Sequence, residues 1–173
     1  QIVLLDSDFS RMPEIVLEGR RVVNNVQRSA SLFLVKNLFS LLLTIFSTVL
    51  MISYPLMPSQ VSLISMFTIG IPGFLLALEP NKSRIKGHFL GNVLLKALPA
   101  GLTDFFAVSA LVICGHVFNI PSTDIATAST LLIAVVGFMI MIKISHPFNN
   151  FKYGILALNI FGLIFCGLFL DNL

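Results

Sequence analysis

Five apolar stretches limit what this chain can fold into: Ala30–Ser53, Val61–Leu78, Leu94–Phe118, Ile125–Ile142 and Tyr153–Leu170. Each is close to the ~20 residues a helix needs to cross the hydrocarbon of a bilayer. In lipid a backbone must satisfy its own N–H and C=O groups, so such segments become helices. The expectation is an all-α integral membrane fold with about five transmembrane helices. Composition excludes a soluble domain, with 56% hydrophobic and 11% charged residues and a mean hydropathy of +0.95. There are 16 Phe and no Trp, so Tyr54 and Tyr153 take the place of the usual interfacial Trp at the membrane borders.

The second stretch is the odd one. SMFTIGIPGFLLALEPN (Ser65 to Asn81) carries Gly70, Pro72 and Gly73 in mid-segment. Pro72 lacks a donor and clashes with the preceding turn, and the glycines ease departure from helical geometry. The second helix is therefore expected to break at Gly70–Gly73. A membrane span tolerates a break where the freed carbonyls are buried in protein or line a polar cavity. Unwound carbonyls of this kind coordinate cations in transporters, although a simple packing kink has the same local sequence.

Around these runs, Pro13 and Glu14 suit a helix N-terminus. Ile15, Val16, Val22, Val23 and Val26 continue a helical pattern into the membrane. Residues 13–53 read as one long helix with Gly19 as its weak point; IVLLD near the start reads as a short strand end. Residues 1–28 form a cytosolic stalk segment, and 29–173 a transmembrane helix bundle. Basic residues fall at alternate loops: Arg11, Arg20, Arg21 and Arg28, then Lys82, Arg84 and Lys86, then Lys143 and Lys152. That asymmetry predicts a multi-pass cell-membrane protein with a cytosolic N-terminus and an outside C-terminus. The net charge of +3 marks orientation, not nucleic-acid binding. With Gln1 first and no signal-peptide pattern, the chain reads as a fragment or processed product.

Polar groups within the runs supply the candidate site. Lys36, Asn37, Ser40, Thr44 and Ser47 recur at steps of three and four, which puts them on one helix face, expected to look into the bundle. Lys36 lies roughly 9 Å inside Ala30 by helix rise; it either snorkels or serves a function. On the second run, Ser62, Ser65 and Thr68 approach the break. Thr68 and the carbonyls of Ile69 to Ile71 offer oxygen ligands to a hard cation. Glu79 sits at the cytosolic end, as a solvated helix end or an ion-entry group. In the third run, Lys96 and Asp104 stand two turns apart on one face, paired to neighbours or, for Lys96, marking the border. Cys114 and Cys166 read as small buried hydrophobes. His88, His116 and His146 are scattered, and no catalytic constellation or phosphate loop is present.

Together these features resemble the C-terminal membrane half of a bacterial P-type cation-transporting ATPase, transmembrane helices five to nine. SDFSRMPEIVLEGRRVVNNV (Ser7 to Val26) resembles the segment leaving the phosphorylation domain, with its Asp-Phe, E-G-R and N-N elements. TIGIPGFLLALEP (Thr68 to Pro80) resembles the sixth-helix pattern T-x-G-x-P-A-x-x-L-x-x-E/N-P. The later runs match helices seven to nine by order and hydropathy, and a tenth helix would be missing. The resemblance implies an ion-pathway role in an ATP-driven pump that works by alternating access through an aspartyl-phosphate intermediate. No cofactor belongs to this stretch; ATP and Mg2+ are implied for the parent, whose D-K-T-G-T motif and nucleotide domain are not in it.

Compared with animal calcium pumps, Asn37 and Thr68 match helix-five and helix-six ligands, the tentative metal contacts. Ser40 stands where those pumps have an ion-binding Glu, Ser65 where they have Asn, and Ile69 where they have Asp. Lys36 falls where the gastric proton–potassium pump carries a Lys. The implied ion pathway is Lys36, Asn37, Ser40, Ser65, Thr68, Gly70, Pro72 and Glu79. Lys36 would act there as a built-in cation that limits the number of ions. Calcium is the favoured ion; the implied partners are the transported cation, membrane lipid, and the N-terminal helices and cytosolic domains of the parent chain. Two other readings stand beside this one: a self-contained channel or secondary carrier, and a non-transporting membrane scaffold.

Overall fold

The computed structural model describes residues 9–79, 81, 83–85, 87–146 and 148–169. The expected strand end near the start, Pro80, Lys82, Lys86 and Leu170, the last residue of the fifth run, lie outside the described residues.

A short 3-10 turn, Phe9–Arg11, leads into α1 (Met12–Val49), which begins with Pro13 in its first turn. As expected, α1 is one long helix without a break at Gly19, whose small cost to helix propensity is outweighed by 38 residues of continuous hydrogen bonding. It closes on Met51, which adopts a positive φ of 54°, while Ile52 N–H reaches the Ser47 carbonyl at 3.0 Å.

The second span is α2 (Pro58–Ser65), a π turn (Met66–Gly70) and α3 (Ile71–Leu78). The irregularity thus sits one turn earlier than Gly70–Gly73 and overlaps it only at Gly70. The physical reason is Pro72. Since it supplies no N–H, the chain widens ahead of it, Ile71 N–H bonds back five residues to the Met66 carbonyl, and α-geometry resumes at once. The span stays helical throughout instead of unwinding.

The third span, α4 (Phe89–Val117), starts earlier than Leu94 and passes through Pro99 uninterrupted. In lipid a helix that loses one bond to Pro has no water to replace the others, so it persists. Lys96 and Asp104 do not share a face: eight residues leave them about 80° apart, with Lys96 exposed and Asp104 buried. Next come α5 (Ser122–Ser145) and α6 (Asn150–Phe169). These five helical units are long and apolar enough to span a membrane, and at most 33% of any one apolar window is buried. Helices of this length and apolarity make this a multi-pass membrane protein, with much of their apolar surface exposed. Cys114 and Cys166 belong to that surface: Cys114 is exposed and Cys166 half-buried, not the core residues expected.

Helices α1 and α4 run side by side in the same direction and form the main seam. Ser31, Val35, Phe39, Leu43 and Ser47 of α1 repeat every four residues, as do Val93, Ala97 and Gly101, and then Asp104, Val108 and Val112, of α4. These are matched ridges. At Gly101 the approach is closest, since a Cβ there would stand 3.2 Å from the Val35 carbonyl oxygen. One apolar cluster gathers Phe39, Leu43, Leu56, Val108, Val112 and Ile125; another gathers Leu32, Val35, Ile69, Ala97 and Ile140. The broken span packs on α1, α5 and α6, with its π turn between them.

Candidate functional site

Between the two apolar clusters lies a cavity of about 50 Å³, where α1, α2, the π turn, α4 and α5 converge. Its polar lining is Lys36, Ser65, Thr68 and Asp104, and its walls include Val35, Phe39, Ile69 and Gly137. Space of that size suits one small ion or one or two waters. Thr68 is buried, and its Oγ1 donates to the Ile64 carbonyl at 2.8 Å. Ser65 Oγ donates to the Val61 carbonyl at 2.6 Å. Both hydroxyl protons are thus committed to helix carbonyls, which leaves oxygen lone pairs for a hard cation.

Two glycines position the π turn. A Cβ on Gly137 of α5 would stand 2.8 Å from Thr68 Cγ2, and one on Gly162 of α6 would overlap the Phe67 ring. Neighbouring helices therefore accept the widened turn only because they present no side chain there. The turn is thereby held with Thr68 toward the cavity.

Of the polar residues singled out in sequence, Lys36, Ser65, Thr68 and Asp104 meet at this cavity. Asn37 and Thr44 are exposed, Ser40 is half-buried and Ser47 is buried, so the polar stripe on α1 does not turn as one face into the bundle. The ridge buried against α4 takes the inward direction instead, and Thr44 satisfies itself on the Ser40 carbonyl at 2.7 Å. Of the tentative metal pair, Thr68 lines this cavity and Asn37 does not. Gly70 is exposed and Pro72 buried. Among the described residues no three His, Cys, Asp or Glu side chains gather into a metal cluster.

Glu79 lies elsewhere, in a charged cluster at the end of α3. Its Oε2 is 3.1 Å from Lys152 Nζ and 3.8 Å from Arg28 Nη1, and its Oε1 accepts from Asn149 Nδ2 at 2.7 Å. Oε2 has no aligned hydrogen bond, so the two cations hold it by charge. Both basic side chains are buried, Arg28 at 8% and Lys152 at 6% exposure, although in sequence they read simply as orientation signals. A carboxylate already facing two cations is a poor entry ligand for a third.

Beside this cluster, the N-terminal half of α1 caps α3. Arg28 Nη1 donates to the Leu76 carbonyl at 3.1 Å and Asn25 Nδ2 to the Ala77 carbonyl at 2.9 Å. Asn24 Nδ2 donates to the Asn81 and Ser83 carbonyls, each at 3.0 Å. The last carbonyls of a helix lack intrahelical partners, and amide or cationic donors are what they need. Asn24 and Asn25 were visible in sequence as the N-N element, but nothing local showed that they bridge to residues more than fifty positions away.

Comparison with known proteins gives a consistent result. The chain is 32% identical over 97% of its length to a probable cation-transporting ATPase of Streptococcus pneumoniae. It is 33% identical over 91% of its length to a calcium-transporting ATPase of Mycolicibacterium smegmatis. A calcium-transporting ATPase of Bacillus subtilis matches 45% of the chain at 27% identity. The chain spans about a fifth of the length of the first two relatives, 23% and 22%. No family model and no solved structure matches it.

Proposed function

We propose, from the premise that this chain is a homologue of a stretch of bacterial P-type cation-transporting ATPases, that it forms the ion pathway of an ATP-driven pump. The pump moves one hard cation, calcium, by alternating access. One observation carries the reading: a buried threonine on a π turn shares a small, otherwise largely apolar cavity with a serine, a lysine and an aspartate in mid-membrane. Ionisable groups at that depth are costly, so they are retained for a task. A scaffold has no use for them.

In this reading residues 1–28 are a cytosolic stalk and residues 29–173 the bundle, with the basic loops in the cytoplasm. ATP and Mg2+ act in other parts of a longer protein, as the relatives' length suggests. The exposed Asn37 and Thr44 face helices of that longer protein. Lys36 contributes a built-in positive charge that restricts occupancy to one ion. The stalk, clamped to the end of α3 through Asn24, Asn25 and Arg28, carries motion from the cytosolic domains to the π turn.

The test is calcium-stimulated ATP hydrolysis and calcium uptake by the full-length protein in proteoliposomes. Thr68→Val, which keeps shape and deletes the ligand oxygen, is expected to raise the half-saturating calcium concentration about tenfold. Wild-type protein that takes up no calcium and shows no calcium-stimulated hydrolysis overturns the reading.

A further inference from the structure

Asp104 is the one buried carboxylate of the cavity, and nothing in the resemblance to cation pumps gave it a role. It is 3% exposed, it projects from the α4 ridge that packs on α1, and its Oδ1 has no hydrogen-bond partner among the described residues. No ion pair joins it to Lys36 across the cavity they both line. A carboxylate so placed in a bilayer is strongly destabilising unless something positive reaches it. Of the buried polar groups of α1, Arg28 caps the end of α3 and Ser31 bonds back one turn. Asp104 does neither.

The opposite wall supplies the second half of the argument. The end of α2 and the π turn after it present Ser65 and Thr68, two hydroxyl oxygens whose protons already point to carbonyls, and then Ile69, an apolar residue, toward the same space. That wall offers neutral oxygens and no negative charge. A hard cation needs both, because hydroxyl and carbonyl dipoles alone do not replace the hydration shell of a multivalent ion in a water-poor site. The missing charge is on α4, in Asp104, which lines the same cavity.

We propose that Asp104 is a ligand of the transported cation, a carboxylate supplied from α4 to a site whose neutral oxygens come from Ser65 and Thr68. The proposal rests on the cation-pathway reading and adds to it a third helix, α4, as part of the site. Lys36 is then the group that neutralises Asp104 when the cation has left: its long stem lets the ammonium approach or retreat. One carboxylate in a cavity of about 50 Å³ also fits a single ion.

The experiment uses the full-length protein in proteoliposomes, with calcium as the probe and ATP affinity and monodispersity as controls for folding. Asp104→Asn is expected to raise the half-saturating calcium concentration about tenfold to a hundredfold while ATP affinity stays unchanged. Asp104→Glu should recover part of the loss. The double variant Lys36→Met with Asp104→Asn separates ligand from mere counter-ion. A ligand leaves the double variant as impaired as Asp104→Asn, whereas a carboxylate present only to neutralise Lys36 lets it return to wild-type affinity. That return, or an unchanged affinity in Asp104→Asn, overturns the proposal. A wild-type protein without any calcium response instead overturns the pump reading itself, so the two failures are distinguishable. If Asp104→Asn is not monodisperse, the same titration on Asp104→Glu decides: unchanged affinity there counts against the ligand role.

Discussion

Glu79→Ala is expected to destabilise the full-length protein by about 3 kcal/mol, because it leaves two buried cations without their carboxylate. Arg28 and Lys152 approach Glu79 from α1 and from the start of α6, at 3.8 and 3.1 Å, and both are at least nine-tenths buried. Removing one member of such a cluster is worse than removing all of it. The variant in which Arg28, Glu79 and Lys152 are replaced together by Met, Gln and Met should therefore regain much of the loss. Arg28 also caps the Leu76 carbonyl, so that triple variant will stay somewhat below wild type. Thermal unfolding in detergent, followed by loss of monodispersity, measures both. An unfolding midpoint for Glu79→Ala equal to that of wild type would show that the cluster holds nothing together.

The second large effect concerns the seat of the π turn. Gly162→Val places two branches where the Phe67 ring lies, and Phe67 is itself buried at 7% exposure. Overpacking of this kind costs about 1–3 kcal/mol, and here the nearest thing able to yield is the turn itself. Calcium transport should fall further than stability does, because moving Phe67 rotates Thr68 away from the cavity. Phe67→Leu combined with Gly162→Val restores space on the same contact, so the pair should show coupling in a double-mutant cycle, unlike two distant substitutions. Additive effects in the proteoliposome assay would mean that the glycine does not seat the turn.

These two expectations rest on features that differ in how far they were legible in the residues. That Pro72 disturbs its helix follows from one missing N–H, and the disturbance is there. Its form was not legible. Whether the chain unwinds or widens into a π turn depends on what α5 and α6 place beside it, and Gly137 and Gly162 make room for the wider turn. Lys36, Ser65 and Thr68 were legible as polar residues in apolar runs, and they do meet. Asn37, one position from Lys36, is turned outward because a single residue rotates the helix by about 100°. Glu79 read as a helix end, yet its partners lie 51 and 73 positions away.

The sequence by itself determined that this chain crosses the membrane five times as helices and that its second crossing is irregular. Both follow from local properties: the transfer energy of about twenty consecutive residues, and the donor that one proline lacks. Tertiary structure alone decided which polar groups became neighbours. The rotation of each helix is set by ridge packing between α1 and α4 and by the glycines that admit the π turn. That packing turns Asp104 toward Lys36 and Lys96 away from it, a distinction that hydropathy, being blind to rotation, does not contain.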